Sequence, residues 1–321
     1  MAKKVILTKR YIKEAIDCLE RQFKLVIIEG SGKSLIEVLK ENKDTEALIS
    51  FLSDDINADI IDLGGNLKII ANYAAGYNNI DIQYAIKKGL YVTHTPDVLT
   101  NATADLTMAL ILAVSRRIVE SDQFLRRGEF KGWDANLLLG KELNGSVLGL
   151  MGMGRIGFAA AKRALGFGLK VIYNSISRDI GKEQKYGFEY VSFAELVERS
   201  DIVSVHIPYT PAVHHLFDRD VFARMKPDAI FINTARGPLM NEEDLTEKLE
   251  QNKSFGAGLD VYEFEPKVNE RLTKLKNAVL APHIGSATYK ARLGMALMTV
   301  DSVKSALSGQ RPANLIPELK K

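Results

Sequence analysis

The sequence predicts an α/β protein of two doubly wound parallel-sheet domains. Three observations lead there. Short Val-, Ile- and Leu-rich runs alternate with polar-patterned segments in two separate series. A proline break at Thr95-Pro96 closes the first series. A glycine-rich turn that opens a helix lies near the start of the second.

In the first series, Lys4–Thr8, Leu25–Ile28, Ala47–Phe51 and Lys68–Asn72 read as buried strands. Tyr11–Phe23, Ser34–Lys40 and Asp81–Lys88 lie between or after them and suit helices. Strand–helix alternation of this kind places helices on the faces of a parallel sheet. Thr100–Arg127 follows, with Leu106, Leu110, Ala113 and Val114 at helical spacing and no proline, and predicts one long helix. Pattern alone leaves two roles open for it, a connector or oligomer contact, or a core helix of one domain. The second series places strands at Ser146–Met151, Lys170–Asn174, Ile202–His206, Ala229–Asn233, Gly256–Asp260 and Ala278–Ala281. Tyr289–Leu307 is a last amphipathic helix, read as returning to the first domain. The expected division is 1–99 with 289–321, and 100–288.

Composition bounds what such a protein does. With 46% hydrophobic and 26% charged residues it is an ordinary globular chain, and a diffuse net charge of +3 gives no footprint for nucleic acid. A single cysteine, Cys18, forms no disulfide within the chain. Met1–Arg10 carries too short an apolar run for a signal peptide, and Leu106–Val114 is too short to cross a membrane. A cytoplasmic protein is expected. No Cys/His group has metal-ligand spacing, so no metal is expected either.

Ser146–Gly157 carries G-x-G-x-x-G at Gly152, Gly154 and Gly157. Alone the pattern is weak in a chain with 24 glycines. Here an apolar strand precedes it and the helical Phe158–Phe167 follows, the context of a dinucleotide site. Gly152 permits the tight turn, Gly154 lets backbone approach a pyrophosphate, and Gly157 lets the helix pack close to the sheet. The helix N-terminus then offers N–H groups to the phosphates. An acid usually ends the next strand, where it takes the ribose hydroxyls. Here Asn174 stands in that place, with Ser175, Ser177 and Arg178 beside it. An acid repels a 2′-phosphate, whereas hydroxyls and an arginine can bind one. The segment therefore favours NADP(H), with NAD(H) the alternative. Asp179 is the candidate salt-bridge partner of Arg178. A second glycine run, Gly30-Ser31-Gly32-Lys33-Ser34, resembles the tail of a P-loop, but Ile27 stands where the first glycine is needed, and the run reads as a turn.

Three later segments set polar residues directly after apolar strands, where open α/β sheets bind ligands: Phe231–Gly237, Ala257–Pro266 and Leu280–Thr288. They bring a guanidinium, carboxylates and an imidazole to one rim. Reduction of a keto group beside a carboxylate uses such a set. Histidine can protonate the developing alkoxide, a neighbouring carboxylate favours the protonated imidazole, and arginine can grip a carboxylate through two hydrogen bonds. Pattern leaves Glu263 and Glu265 even as the carboxylate. His94, His206, His214 and His215 read as structural, with the His206-Ile207-Pro208 segment lining the adenine side, and Trp133 reads as packing the domain junction.

These motifs resemble those of the D-isomer-specific 2-hydroxyacid dehydrogenase family. The glycine loop, Asn233–Gly237, Gly258–Pro266 and Pro282–Thr288 match in order and spacing, as do Leu67–Asp81, with its Ala74-Ala75-Gly76, and Thr95–Asp105. The resemblance spans nearly the whole chain. It implies a Rossmann cofactor domain inserted in a flavodoxin-like substrate domain. It also implies Arg236 as substrate binder, Glu265 as the partner of His283, and His283 as proton donor in contact with substrate. Backbone N–H groups of Ala75 and Gly76 are implied to hold the substrate carboxylate. Arg155, Ile156, Pro208, Thr234 and Asp260 are implied to line the cofactor site, Asp260 near the carboxamide. The departure from the commonest pattern is Asn174, where members using NAD carry Asp. That places the chain nearer the glyoxylate, hydroxypyruvate and 2-ketogluconate reductases, and a homodimer is expected. D-3-phosphoglycerate dehydrogenase, which needs extra cationic groups for its substrate, D-lactate dehydrogenase, and a dinucleotide-sensing corepressor are the competing readings.

Overall fold

The computed structural model describes residues 2–320. In chain order the first elements are β1 (Lys4–Leu7), α1 (Lys13–Glu20), β2 (Lys24–Ile27), α2 (Leu35–Glu41), β3 (Thr45–Ser50), α3 (Ala58–Leu63), β4 (Ile69–Asn72), α4 (Ile82–Lys87) and β5 (Tyr91–Thr93). There follow α5 (Thr100–Ser115), α6 (Ile118–Arg126), β6 (Val147–Met151), α7 (Arg155–Gly166), β7 (Lys170–Asn174), α8 (Ile180–Tyr186), β8 (Glu189–Tyr190), α9 (Phe193–Arg199) and β9 (Ile202–Val205). Then come α10 (Arg219–Arg224), β10 (Ile230–Asn233), α11 (Glu242–Gln251), β11 (Gly256–Leu259), β12 (Ala278–Leu280) and α12 (Tyr289–Leu307). Two compact units result, Met1–Leu99 with Ala287–Lys321, and Thr100–Ser286.

The first unit holds a parallel sheet in the order β2-β1-β3-β4-β5, the flavodoxin-like order. Val5–Leu7, Ala47–Ile49 and Ile69–Ala71 are fully buried, as expected of strands covered on both faces. Helix starts follow the polar residues that cap them: Ser34 and Glu37 form a reciprocal capping box on α2, and Asn57 and Asp81 cap α3 and α4. The capping serine closes the Gly30–Ser34 run as a turn, with Gly30 and Gly32 left-handed and Lys33 paired to Glu41 at 2.6 Å. Helix α12 packs on β3, β4 and β5 through a face that includes Met295, Thr299 and Val303.

The second unit holds a parallel sheet ordered β12-β11-β10-β9-β6-β7-β8. Counted from β6, the strands run 3-2-1-4-5-6 with one further strand at the edge, so the order reverses beside β6. Its core joins Phe217, Phe222, Phe231 and Phe255 on one side to Leu148, Leu150, Val171 and Tyr173 on the other.

Two expectations need correction. The Thr100–Arg127 helix is two helices. Arg117 adopts a left-handed φ of 51°, and the Ser115 carbonyl accepts from Lys141 N–H at 2.7 Å, so the helix ends there. Helix α5 is then a core helix, with Met108, Leu110 and Ile111 buried, while α6 buries nothing. Trp133 is 87% exposed and so is not a packing residue. Pattern also missed α3, β5 and β8, which span only six, three and two residues.

Candidate active site

In the second unit every strand is parallel, so the loops after β6, β7, β9, β10, β11 and β12 share the carboxyl edge of one sheet. Strand order then sorts them. The glycine loop and the segments after β7 and β9 occupy one side; Arg236, Glu265 and His283 follow three consecutive neighbours, β10, β11 and β12.

His283 Nδ1 lies 2.8 Å from Glu265 Oε2, with the two side chains 33% and 35% exposed. The carboxylate accepts, so Nδ1 carries the hydrogen and Nε2 is the nitrogen that Glu265 does not engage. Glu265 Oε1 accepts from Tyr262 N–H at 3.0 Å. Burial works to raise the Glu265 carboxyl. The hydrogen bond and charge of His283, the Tyr262 N–H and Arg236 outweigh it, and the carboxyl sits below the ordinary range. His283 has a left-handed φ of 53°, an unfavourable conformation for a residue with a Cβ. Asp260 over-determines that turn. Its buried carboxylate accepts from both Ile284 and Gly285 N–H at 2.7 Å. Burial raises the Asp260 carboxyl despite those two bonds. From α5, Thr103 Oγ1 donates to the Gly285 carbonyl at 3.1 Å. Asp260 therefore holds the His283 loop, a role that the expectation of a carboxamide contact did not include.

Arg236 is set by an equally specific frame. Fully buried Asn233 donates to the Arg236 carbonyl at 2.9 Å and accepts from Ala235 N–H at 3.0 Å. Thr234 Oγ1 meets Thr107 Oγ1 of α5 at 3.1 Å. A Cβ on Gly237 would lie 1.8 Å from the Tyr262 carbonyl oxygen, so only glycine lets the Arg236 turn press against the Tyr262–Glu263 backbone. Burial lowers the Arg236 guanidinium and the nearby Glu265 charge partly restores it; an arginine remains charged through such a shift.

The two candidate glutamates separate. Glu263 Oε1 pairs with His215 Nε2 at 2.6 Å, and its Oε2 accepts from Glu242 N–H at 3.1 Å. His214 stacks on His215 at 3.8 Å, so His214, His215 and Glu263 gather three potential metal ligands that sequence spacing did not reveal. Glu263 is already engaged twice, by His215 and by the Glu242 N–H. His206 Nε2 meets Ser204 Oγ at 2.9 Å, and burial pushes its imidazole down to about 4.

At the glycine loop the three glycines differ in cause. Gly152 has φ +104° and a Cβ there would lie 2.9 Å from the His206 carbonyl group; a Cβ on Gly157 would lie 2.1 Å from the Gly152 carbonyl oxygen. A Cβ on Gly154 would meet nothing within 4 Å. Gly154 is also the N-cap of α7 and gives that helix no side-chain cap, with Arg155 and Ile156 in its first turn. Internal packing demands two of the glycines, while the third faces open space at an uncapped helix N-terminus. That fits a dinucleotide pyrophosphate. Asn174 ends β7, its amide donating to the Val191 carbonyl at 2.8 Å; Ser175 is partly buried and Pro208 exposed. Asp179 is not the partner of Arg178: it caps α8 and pairs with Lys182 at 2.9 Å, while Glu183 takes Arg178.

In the first unit, Ala75 and Gly76 sit in the loop after β4. The Ala74 carbonyl accepts from Thr95 N–H at 2.8 Å and the Ala75 carbonyl from His94 Nδ1 at 2.8 Å. Across a planar trans peptide the next N–H points the opposite way, so the N–H groups of Ala75 and Gly76 turn away from those partners. Buried Asn72 donates to the Gly76 carbonyl at 3.0 Å and fixes the turn.

Sequence reading missed Asn233, Tyr262, Thr103 and Thr107 as positioning residues. The one available signal was Thr103 and Thr107 at a four-residue spacing on α5, which puts both on one helix face.

Comparison with known proteins places the whole chain among similar ones. The family model described as D-isomer specific 2-hydroxyacid dehydrogenase, NAD binding domain, matches residues 108–285. A glyoxylate reductase of Thermococcus litoralis is 45% identical over 98% of this chain and 97% of its own. The TT0316 protein of Thermus thermophilus superposes with a TM-score of 0.91 at 42% identity, covering 98% of this chain and 99% of that one. An NADPH-dependent glyoxylate/hydroxypyruvate reductase of Sinorhizobium meliloti, solved with NADP and malonate, gives 0.90 at 30% identity, covering 99% and 98%.

Proposed function

Since the chain belongs to the D-isomer-specific 2-hydroxyacid dehydrogenase family and is an oxidoreductase of that family, we propose that it reduces a small 2-keto acid to the D-2-hydroxy acid. Glyoxylate, hydroxypyruvate and 2-ketogluconate are the candidate substrates, and NADP(H) is favoured over NAD(H). The observation that carries this reading is the His283–Glu265 pair, with Arg236 on the neighbouring strand end.

When bound, the nicotinamide supplies the hydride that reduces the keto carbon. His283 Nε2 donates the proton that the keto oxygen takes up, and Glu265 stabilises the imidazolium before that transfer. Arg236 grips the substrate carboxylate and polarises the keto oxygen. The N–H groups of Ala75 and Gly76, turned away from Thr95 and His94, suit a carboxylate as well. Gly152, Gly154, Arg155, Ile156 and Gly157 receive the pyrophosphate, Asn174, Ser175 and Arg178 the adenosine ribose, and Pro208, Thr234 and Asp260 line the rest of the cofactor site. The absence of an acid at the end of β7 supports the phosphorylated cofactor.

A panel of 2-keto acids run with both NADH and NADPH tests the reading. Turnover of glyoxylate or hydroxypyruvate with an NADPH preference is expected. Cofactor binding without turnover across the panel would overturn the enzymatic reading, and a clear NADH preference the cofactor one.

We further propose a cytoplasmic homodimer. Among the described residues no helix is long and apolar enough to cross a membrane. Ile118, Leu125, Phe130, Trp133 and Leu139 are all at least half exposed, which suits burial by a second copy. Mass in solution tests this.

A further inference from the structure

Beside the proposed ribose site, Arg178 is already engaged. Its Nε donates to Glu183 Oε1 at 2.9 Å and its Nη2 to Glu183 Oε2 at 2.7 Å, a two-pronged contact. Glu183 Oε1 also accepts from Tyr173 Oη at 2.8 Å. Tyr173 is fully buried in β7, one residue before Asn174. The Glu183 side chain is 11% exposed and that of Arg178 58%. The carboxylate is therefore the anchored member of the pair, and the guanidinium, which also lies 5.8 Å over the Tyr190 ring, is the exposed one. The second acid nearby, Asp179, is committed to Lys182 and to the α8 N-terminus.

A 2′-phosphate brings nearly two negative charges. To use Arg178 it must draw the guanidinium from Glu183 and tolerate a fixed carboxylate behind it. An unphosphorylated ribose meets neither cost. We infer that Glu183 is a positioning residue that sets how far this chain discriminates NADPH from NADH, by holding Arg178 back from the 2′-phosphate. This rests on the reading that the segment after β7 takes the adenosine ribose.

Calorimetric binding of adenosine 2′,5′-bisphosphate and adenosine 5′-monophosphate to the wild type, Glu183→Gln, Arg178→Ala and the double variant tests it. Glu183→Gln keeps an acceptor for Tyr173 and removes the charge. It should tighten the bisphosphate about tenfold and leave the monophosphate unchanged, the size expected from one nearby charge at a partly exposed site. The gain should vanish in the double variant. A merely structural role for Glu183 would move both ligands together. Should the glutamine variant not fold, Glu183→Asp draws the charge back from Arg178, and a smaller gain in the same direction is expected. If Arg178→Ala weakens the bisphosphate but neither Glu183 variant changes the ratio of the two affinities, the inference fails and the ribose reading stands. If Arg178→Ala leaves the bisphosphate unchanged, the ribose reading fails for this arginine and the inference with it.

Discussion

His283 Nδ1 and Glu265 Oε2 lie 2.8 Å apart although 18 residues separate them in the chain. Strand β12 ends just before His283 and β11 ends before Glu265; the two strands pair in parallel, so their exits are neighbours. The hydrogen bond fixes the tautomer and thereby decides which nitrogen can meet a keto oxygen.

Replacing His283 by Gln should cut the reduction rate by about 10²–10⁴, the usual worth of a positioned proton donor. Dinucleotide affinity, read by quenching of protein fluorescence, should be unchanged. Near-normal turnover would remove His283 from the chemistry.

Glu265→Gln and Glu263→Gln should separate by readout. Glu265 faces His283, so its loss should lower kcat and shift the pH profile of reduction. Glu263 holds His215 and the α11 N-terminus, so its loss should lower stability by about 1–3 kcal/mol with kcat little changed. Equal effects of both variants on kcat would contradict the assignment.

Arg236→Lys should lower kcat/KM by about tenfold or more, because lysine has no planar fork for a carboxylate. Titration over several keto acids checks this, and an unaltered KM and kcat would count against the role.

Alanine at Gly157 should destabilise the protein, since its Cβ would lie 2.1 Å from the Gly152 carbonyl oxygen. Alanine at Gly154 meets no protein atom within 4 Å. It should leave the melting temperature unchanged while weakening dinucleotide binding. A Gly154→Ala variant with intact cofactor affinity would place the pyrophosphate elsewhere.

Burial lowers the His206 imidazole from 6.5 to about 4. Between those values the unfolded chain binds a proton that the folded chain does not. Stability should therefore fall as pH drops from 6.5 towards 4, by at most about 3 kcal/mol from this group. Urea titrations across that range should show a shallower slope in His206→Asn; an identical slope would locate the acid sensitivity in other groups.

The α/β class, the strand–glycine loop–helix, and the Arg236, Glu265 and His283 motifs can all be read along the chain. Each is local. Apolar runs, turn glycines and capping residues act within a few positions of the chain, so they can be read along it. What depends on neighbours distant in sequence emerges only from the packing. It showed what Glu263, which pattern left even with Glu265, does instead of facing His283: it pairs with His215. It showed that Arg178 is held by Glu183 and not Asp179. It divided the Thr100–Arg127 helix at Arg117, because the Ser115 carbonyl is claimed by Lys141 from a returning segment. It gave Asp260, Asn233 and Thr103 their work of holding loops. The physical reason is the same in each case. A carboxylate or carbonyl pairs with whichever donor the packing of the sheet brings within hydrogen-bonding distance, and that donor leaves no periodic trace in the sequence.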